Sequence, residues 1–267
     1  MSKPSPEIEA QARQRLADDE QRLAVAGAKP AAQSAEKVTG SRRSSQSLGQ
    51  AGAQFWSHPS PWLIGSFLVG AIAYRATLHS FGWTELIVPV ALVVFFPVIE
   101  WVIHVVILHW RPRKVGGVPM DSLLSRKHRA HHGDPRVLPL VFIPWQVELW
   151  LLPSYVVVAL LLFPAQAAGA TFLVAVGALM FNYEWVHFLV HSDYRPRTRA
   201  FRAVWRNHRL HHYKNEHYWF TVTSSGTVDR LFGTYPEAGT VQTSPTVRQL
   251  HALEDSRVTP EQARSTT

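Results

Sequence analysis

The sequence predicts an all-α integral membrane protein with four transmembrane helices in two hairpins and a histidine-rich site for two metals at one membrane face. Three observations predict it. Four long apolar segments run through the middle of the 267-residue chain. Lys and Arg are missing from two of the turns between those segments and dense at the opposite ends. Ten of the fourteen histidines fall into four short clusters at those charged ends.

The first apolar segment runs from Trp62 to about His79 and the second from Leu86 to His109, separated by Phe81-Gly82-Trp83. The third runs from about Val147 to Phe163 and the fourth from about Ala167 to Leu189, with Pro164 marking the turn between them. Crossing a hydrocarbon core of ~30 Å takes about 20 apolar residues, with a range of ~17–25, so each segment qualifies. Trp56, Trp62, Trp83, Trp110 and Trp145 lie near their ends, as in an interfacial belt. Residues 1–54 contain no aromatic side chain and are rich in Ala, Gln, Ser and Glu. They read as a disordered polar tail apart from a short helix around Glu7 to Ala26, without the apolar stretch of a signal peptide. Residues 237–267 read as a second polar tail, which leaves 55–236 as the membrane-embedded domain.

The turns near 80–85 and 164–168 carry no Lys or Arg. The other face receives Arg111, Arg113, Lys114, Arg126, Lys127, Arg129 and Arg136, then Arg195, Arg197, Arg199, Arg202, Arg206 and Arg209. By the positive-inside rule both termini and the middle loop are expected in the cytoplasm. The net charge of +8 therefore reports orientation rather than a nucleic-acid partner, with contact to anionic head groups or an acidic redox partner as a secondary use. The absence of cysteine excludes disulfides, thiolate-bound zinc and iron–sulfur clusters, so any metal is held by nitrogen and oxygen.

The clusters read His104-x4-His109, His128-x2-His131-His132, His187-x3-His191 and His208-x2-His211-His212. Helix positions i, i+3 and i+4 share a face. His128, His131 and His132 are thus expected to converge on one point, as are His208, His211 and His212, while His187 and His191 stack one turn apart. The five-residue step from His104 to His109 breaks that rule, and either serves two different metals or needs a local distortion of the helix. Ten imidazoles complete two metals at about five ligands each, and nitrogen donors with open positions suit iron that must meet O2. The outer ring nitrogens then need acceptors, for which Glu100, Glu184 and Asp229 are the candidates. A lone carboxylate such as Glu100 inside an apolar segment is costly without a role. His58, His79 and His251 read as surface or interface residues, and the place of His217 is left open. Trp145, Trp219 and Phe220 read as interfacial anchors, with lining of a substrate entrance as the alternative.

The set Glu100-Trp101-x2-His104-x4-His109 with His208-x2-His211-His212-Tyr213-Lys214-Asn215 resembles the fatty acid hydroxylase/sterol desaturase superfamily. So do Phe220-x-Val222-Thr223-Ser224 and Asp229-Arg230-Leu231-Phe232-Gly233-Thr234. The order of clusters is most similar to fatty acid 2-hydroxylases, over roughly residues 55 to 236. The resemblance implies a four-helix membrane anchor with a cytosolic helical cap. It implies that the ten clustered histidines hold two iron ions, and that oxygen from O2 is inserted into a C–H bond of a lipid. The matching acidic position, Asp229, is implied to support the ligands from behind. Yeast and animal hydroxylases of this kind usually carry a haem-binding domain at the N-terminus. This tail is too short for one, so a separate electron-transfer protein or reductase is expected. Zinc is expected to replace iron in some preparations. Carotenoid hydroxylation and sterol oxidation or desaturation are the enzymatic alternatives. A non-catalytic metal-binding or electron-transfer protein is the third, and is disfavoured because no apolar segment has polar ligands near its middle.

Overall fold

The computed structural model describes residues 45–251, and the helix expected around Glu7 to Ala26 lies outside them. Helix α1 (Leu48–Phe55) begins on a capping box. The Ser47 hydroxyl accepts from the Gln50 amide, and the Gln50 side chain accepts from the Ser47 amide, which satisfies two otherwise orphaned donors. Ala51 and Phe55, one turn apart, are fully buried. The Phe55 ring packs at 4.9–5.7 Å from Trp56, Phe142, Phe181, Trp185 and Phe188. The domain therefore begins before Phe55, within the stretch expected as tail, because those two apolar side chains dock on the bundle.

The four apolar segments are all helical. They form α2 (Pro59–Thr77), α3 (Ile87–Val102), α5 (Trp145–Leu162) and α6 (Gln166–His191), with α4 (Leu123–Gly133) between the second and third. With their short flanking turns, three stretches are long and apolar enough to cross a membrane: Trp83–Leu108, Leu138–Leu162 and Gln166–His191. Helix α2 is less apolar, carrying Pro59, Ser60 and Pro61 at its start and Arg75 in its last turn. Arg75 donates to the Thr171 hydroxyl, to the carbonyls of Leu78 and Ser80, and to the Glu85 carboxylate at 2.9 Å. Most of α3 faces outward, with Ile87, Val90, Val93 and Val94 exposed.

The core lies where α2, α5 and α6 meet, around Ile64, Ala71, Leu152, Ala159, Phe172, Leu173, Val176 and Met180. Close approach of α2 to α6 depends on Gly177. A Cβ there would sit 3.2 Å from the Phe67 ring and 3.3 Å from Leu68.

Two features depart from the expected all-α chain with polar ends. Arg113–Val115 (β1) and Val118–Met120 (β2) pair as an antiparallel ribbon around Gly116-Gly117. Beyond Glu237 the described chain stays packed: the Ser244 amide donates to the Lys214 carbonyl at 2.7 Å, and Val247 and Leu250 are buried. The polar composition of this stretch hid its few apolar anchors.

Gly177→Val is expected to push α2 from α6 and to destabilise the protein by about 1–3 kcal/mol, the usual cost of overpacking. Thermal unfolding in detergent checks this, and an unchanged midpoint would contradict the packing.

Candidate metal centre

The ten clustered histidines arrive on four pieces of backbone. Beyond Val102 the α3 helix widens into a π-helical turn, Ile103–Leu108, in which the His109 amide donates to the His104 carbonyl at 3.0 Å. A turn closed from i to i+5 stacks His109 on His104. The local distortion, not a division between metals, resolves the five-residue spacing. His128, His131 and His132 come from α4, whose first turn is capped by Ser122. His187 and His191 end α6. His208, His211 and His212 come from α7 (Arg199–Tyr213), capped by Thr198.

The structure sorts these side chains into two groups of five, His104, His109, His128, His132 and His211, and His131, His187, His191, His208 and His212. Within each group one ring nitrogen from every histidine lies within 4.8 Å of all the others. The triplets of α4 and α7 do not converge on one point, as their spacing was expected to make them. Each helix runs between the groups. It gives its i, i+4 pair (His128 and His132, or His208 and His212) to one group and the histidine between them (His131 or His211) to the other. Neighbours at i+3 and i+4 diverge by about 100° around a helix axis, enough to address two centres.

Inside the groups, Nε2 atoms face one another: His104 and His128 at 3.2 Å, His109 and His211 at 3.2 Å, His131 and His191 at 3.2 Å, His187 and His208 at 3.1 Å. Converging lone pairs need a cation between them. Protons are poor candidates, because burial holds His211 down at about 3 and places His128, His131, His132, His208 and His212 well below the usual imidazole range. Neutral imidazoles converging in a dry pocket are the donor set of a metal ion, so each group fits one.

The outer ring nitrogens orient these donors. Nδ1 of His104 donates to the Phe220 carbonyl at 2.6 Å, Nδ1 of His211 to the Tyr218 carbonyl at 2.8 Å, and Nδ1 of His132 to the Val247 carbonyl at 3.1 Å. A carbonyl can only accept, so each contact fixes the proton on Nδ1 and leaves Nε2 with its lone pair facing inward. All three belong to the first group. In the second, Nδ1 of His131, His208 and His212 has no hydrogen-bond partner among the described residues.

The expected carboxylates do not reach the imidazoles themselves. Asp229, in α8 (Thr227–Leu231) and fully buried, accepts from the amides of Phe220 (2.8 Å) and Thr221 (3.1 Å) and from the hydroxyls of Thr221 and Thr234. Glu100 accepts from the amides of Val222 and Thr223 and from the Thr223 hydroxyl at 2.7 Å. Both carboxylates therefore hold segment 218–223, whose carbonyls orient His104 and His211. Glu184 instead accepts from the Ile143 amide at 2.6 Å. The backbone acceptors left no trace in the sequence, since every residue carries a carbonyl. Glu148 was also missed. It is fully buried and accepts from Ser60, and its signal was a lone acid opening an apolar segment. Gly226 places α8: its φ is +85°, and a Cβ would lie 2.3 Å from the Tyr235 ring.

The remaining histidines belong to neither group. His217 is exposed beside Glu216, His58 packs 4.5 Å from the Phe142 ring, His79 is exposed, and His251 is half-buried at the end of the described chain. Trp145 is exposed. Trp219 and Phe220 are not interfacial anchors, because both are buried and Phe220 lies 5.3–5.5 Å from the rings of His104, His109 and His211.

Between α3, α4, α5 and α6 lies an apolar cavity of about 250 Å³. Ile99, Ile103, Ile107, Trp150, Tyr155 and Met180 form much of its wall, with Glu100 and Tyr183 as polar members. The Tyr183 ring is 5.6 Å from that of His187.

Apolar helices long enough to span a bilayer, ending in ten converging imidazoles, place the chain among histidine-rich membrane proteins with the capacity to bind metal. The family model described as fatty acid hydroxylase matches residues 89–234, more than half the chain. The chain belongs to that family, within the fatty acid hydroxylase/sterol desaturase superfamily. The matched span contains all ten clustered histidines, Glu100, Glu184 and Asp229. No curated protein and no solved structure matches the chain.

Asp229→Ala is expected to weaken metal binding by the His104 group by about 10–100-fold, the usual effect of losing support behind a ligand, and to spare the His131 group. Chelator competition should resolve two classes of site in the variant.

Metal-free protein should also lose stability in acid. The folded-state pKa of the α4 and α7 histidines lies below the unfolded value near 6.5, so the unfolded chain takes up protons first. Their contribution is fully present above pH ~6.5 and is lost as pH falls below it. Thermal unfolding of apoprotein should show a midpoint that is flat above neutrality and falls towards pH 5.

Proposed function

We propose that this protein is a membrane-bound, O2-dependent lipid hydroxylase whose ten clustered histidines hold two iron ions. In the overall reaction a C–H bond of the lipid becomes C–OH. The second oxygen atom leaves as water, and two electrons and two protons are supplied from outside. The observation that carries this reading is adjacency: a cavity walled by aliphatic and aromatic side chains is lined by Tyr183, whose ring packs 5.6 Å from that of His187 in one of the two five-imidazole groups.

The chain's own residues bind, orient and shield. Ile99, Ile103, Ile107 and Trp150 line the cavity and are also exposed on the helix exterior, which suits an acyl chain entering sideways from the bilayer. Glu100 is tied to Val222 and Thr223, so its carboxylate is occupied rather than free to repel an apolar chain. Phe220 covers the rings of His104, His109 and His211 and keeps water from that side. The carbonyls of Phe220, Tyr218 and Val247 keep three imidazoles in the ligating tautomer. Iron, when bound, supplies the O2 activation that no side chain here can provide. Zinc suits the same nitrogens but has no redox chemistry, so zinc-loaded protein should be inactive.

In this reading α2 is a fourth span, paired with α3 as α5 is with α6. The basic ends and the histidines then face the cytoplasm, as the charge distribution favours.

Membranes containing wild-type protein, supplied with iron, O2 and a reductant, are expected to convert a fatty acyl lipid to a product one oxygen atom heavier by mass spectrometry. His131→Ala and His211→Ala should each lower product at least ~100-fold while the protein remains in the membrane fraction. Normal turnover in both variants would overturn the ligand assignment. Oxygen gain by a carotenoid or sterol alone would move the substrate within the superfamily.

A further inference from the structure

Helix α7 presents a second face that the site does not use. Arg199, Arg202, Arg206 and Arg209 recur at steps of three and four residues, so they line one side of the helix. His208, His211 and His212 occupy the other side and are fully buried. Arg199, Arg202 and Arg206 are exposed, and none of the four arginines has an acidic partner among the described residues. Arg206 donates to the Tyr235 hydroxyl at 3.2 Å, and the Arg209 guanidinium lies 4.6 Å from the Trp205 ring and 5.0 Å from that of Tyr213. Helix α7 contains no Asp or Glu.

Four like charges along one face repel one another, which costs stability unless a partner neutralises them. The same face brings Arg, Trp and Tyr together, the residue types enriched where proteins dock. A membrane surface is the less suitable occupant. A helix lying on lipid inserts apolar side chains between head groups, and α7 exposes none of its large apolar residues.

We infer that the arginine face of α7 is the docking surface for an acidic one-electron carrier protein. This rests on the hydroxylase reading, because that reaction consumes two electrons which the chain itself cannot supply. The reduced carrier is oxidised at each encounter, two encounters serving one hydroxylation. An electron delivered here has only the thickness of one helix, ~10–12 Å, between the docked surface and imidazoles on the opposite side of the same backbone. The partner's acidic patch would need to follow a stripe of three helical turns, which suits a small folded protein.

The test uses full-length, iron-loaded protein in nanodiscs of zwitterionic lipid, with an acidic [2Fe–2S] ferredoxin as the probe. Binding is measured by biolayer interferometry across a salt series. Wild type should bind saturably, and affinity should fall as salt rises. R199E/R202E should weaken binding by roughly tenfold or more at low salt and flatten the salt dependence. The control K127E/R136E, which moves the same charge elsewhere on the exposed surface, should stay within about twofold. Product formed in a single turnover, after dithionite reduction, removal of the excess and admission of O2, should be unchanged in R199E/R202E, which shows that the variant folds and separates docking from chemistry.

Absence of saturable wild-type binding overturns the proposal, as does equal loss in the control. So does a variant that binds ferredoxin normally and loses only its attraction to phosphatidylserine vesicles, since the face would then be a lipid contact. If dithionite yields no product but the variant alone loses ferredoxin, the docking surface stands and the hydroxylase reading fails.

Discussion

Ten imidazole nitrogens aimed at two small volumes, eight of them on buried rings, are the constraint under which the rest of this molecule is organised. Each must stay neutral and each must have its proton on the outer nitrogen, or the inner lone pair is lost. Burial enforces the first condition by making the charged ring expensive. The second is met on one side by three backbone carbonyls, and those carbonyls must themselves be held still. Asp229 and Glu100 do this from opposite ends of segment 218–223, each accepting several hydrogen bonds from it. Two buried carboxylates thus act at one remove, their desolvation offset by amides and hydroxyls rather than by counter-ions.

The two five-histidine groups are alike in composition and unlike in support. The first leans on a loop braced by carboxylates and on the Val247 carbonyl from the C-terminal stretch. The second is built from residues of α4, α6 and α7, and Tyr183, which lines the cavity, packs near its His187.

Much of this was legible in the sequence. The four helices lie close to the expected segments, because long apolar runs admit few other structures. The ten histidines announce themselves by number and clustering. What stayed hidden falls into two kinds. Contacts to backbone carbonyls have no residue signature, so Phe220, Tyr218 and Val247 were invisible as acceptors and the carboxylates were assigned one step too close to the rings. Composition also misled at the edges: Ala51, Phe55, Val247 and Leu250 are too sparse to colour their polar neighbourhoods, yet each is buried. The division of the α4 and α7 triplets required knowing that two targets, not one, lie beside each helix.

The widened turn at Ile103–Leu108 bears on how the chain can change. A turn of this kind holds one residue more than an ordinary helical turn, and that extra residue is what aligns His104 with His109. Removing any one residue between them would restore regular helix and still leave a well-spaced pair, now four apart. It would also draw everything beyond the turn back by ~1.5 Å and rotate it by about 100°, carrying the β ribbon and α4 with it. Length in this stretch is thus a phase setting between the long apolar helices and the part of the chain that bears the remaining clustered histidines. Substitutions can be absorbed here far more readily than insertions or deletions.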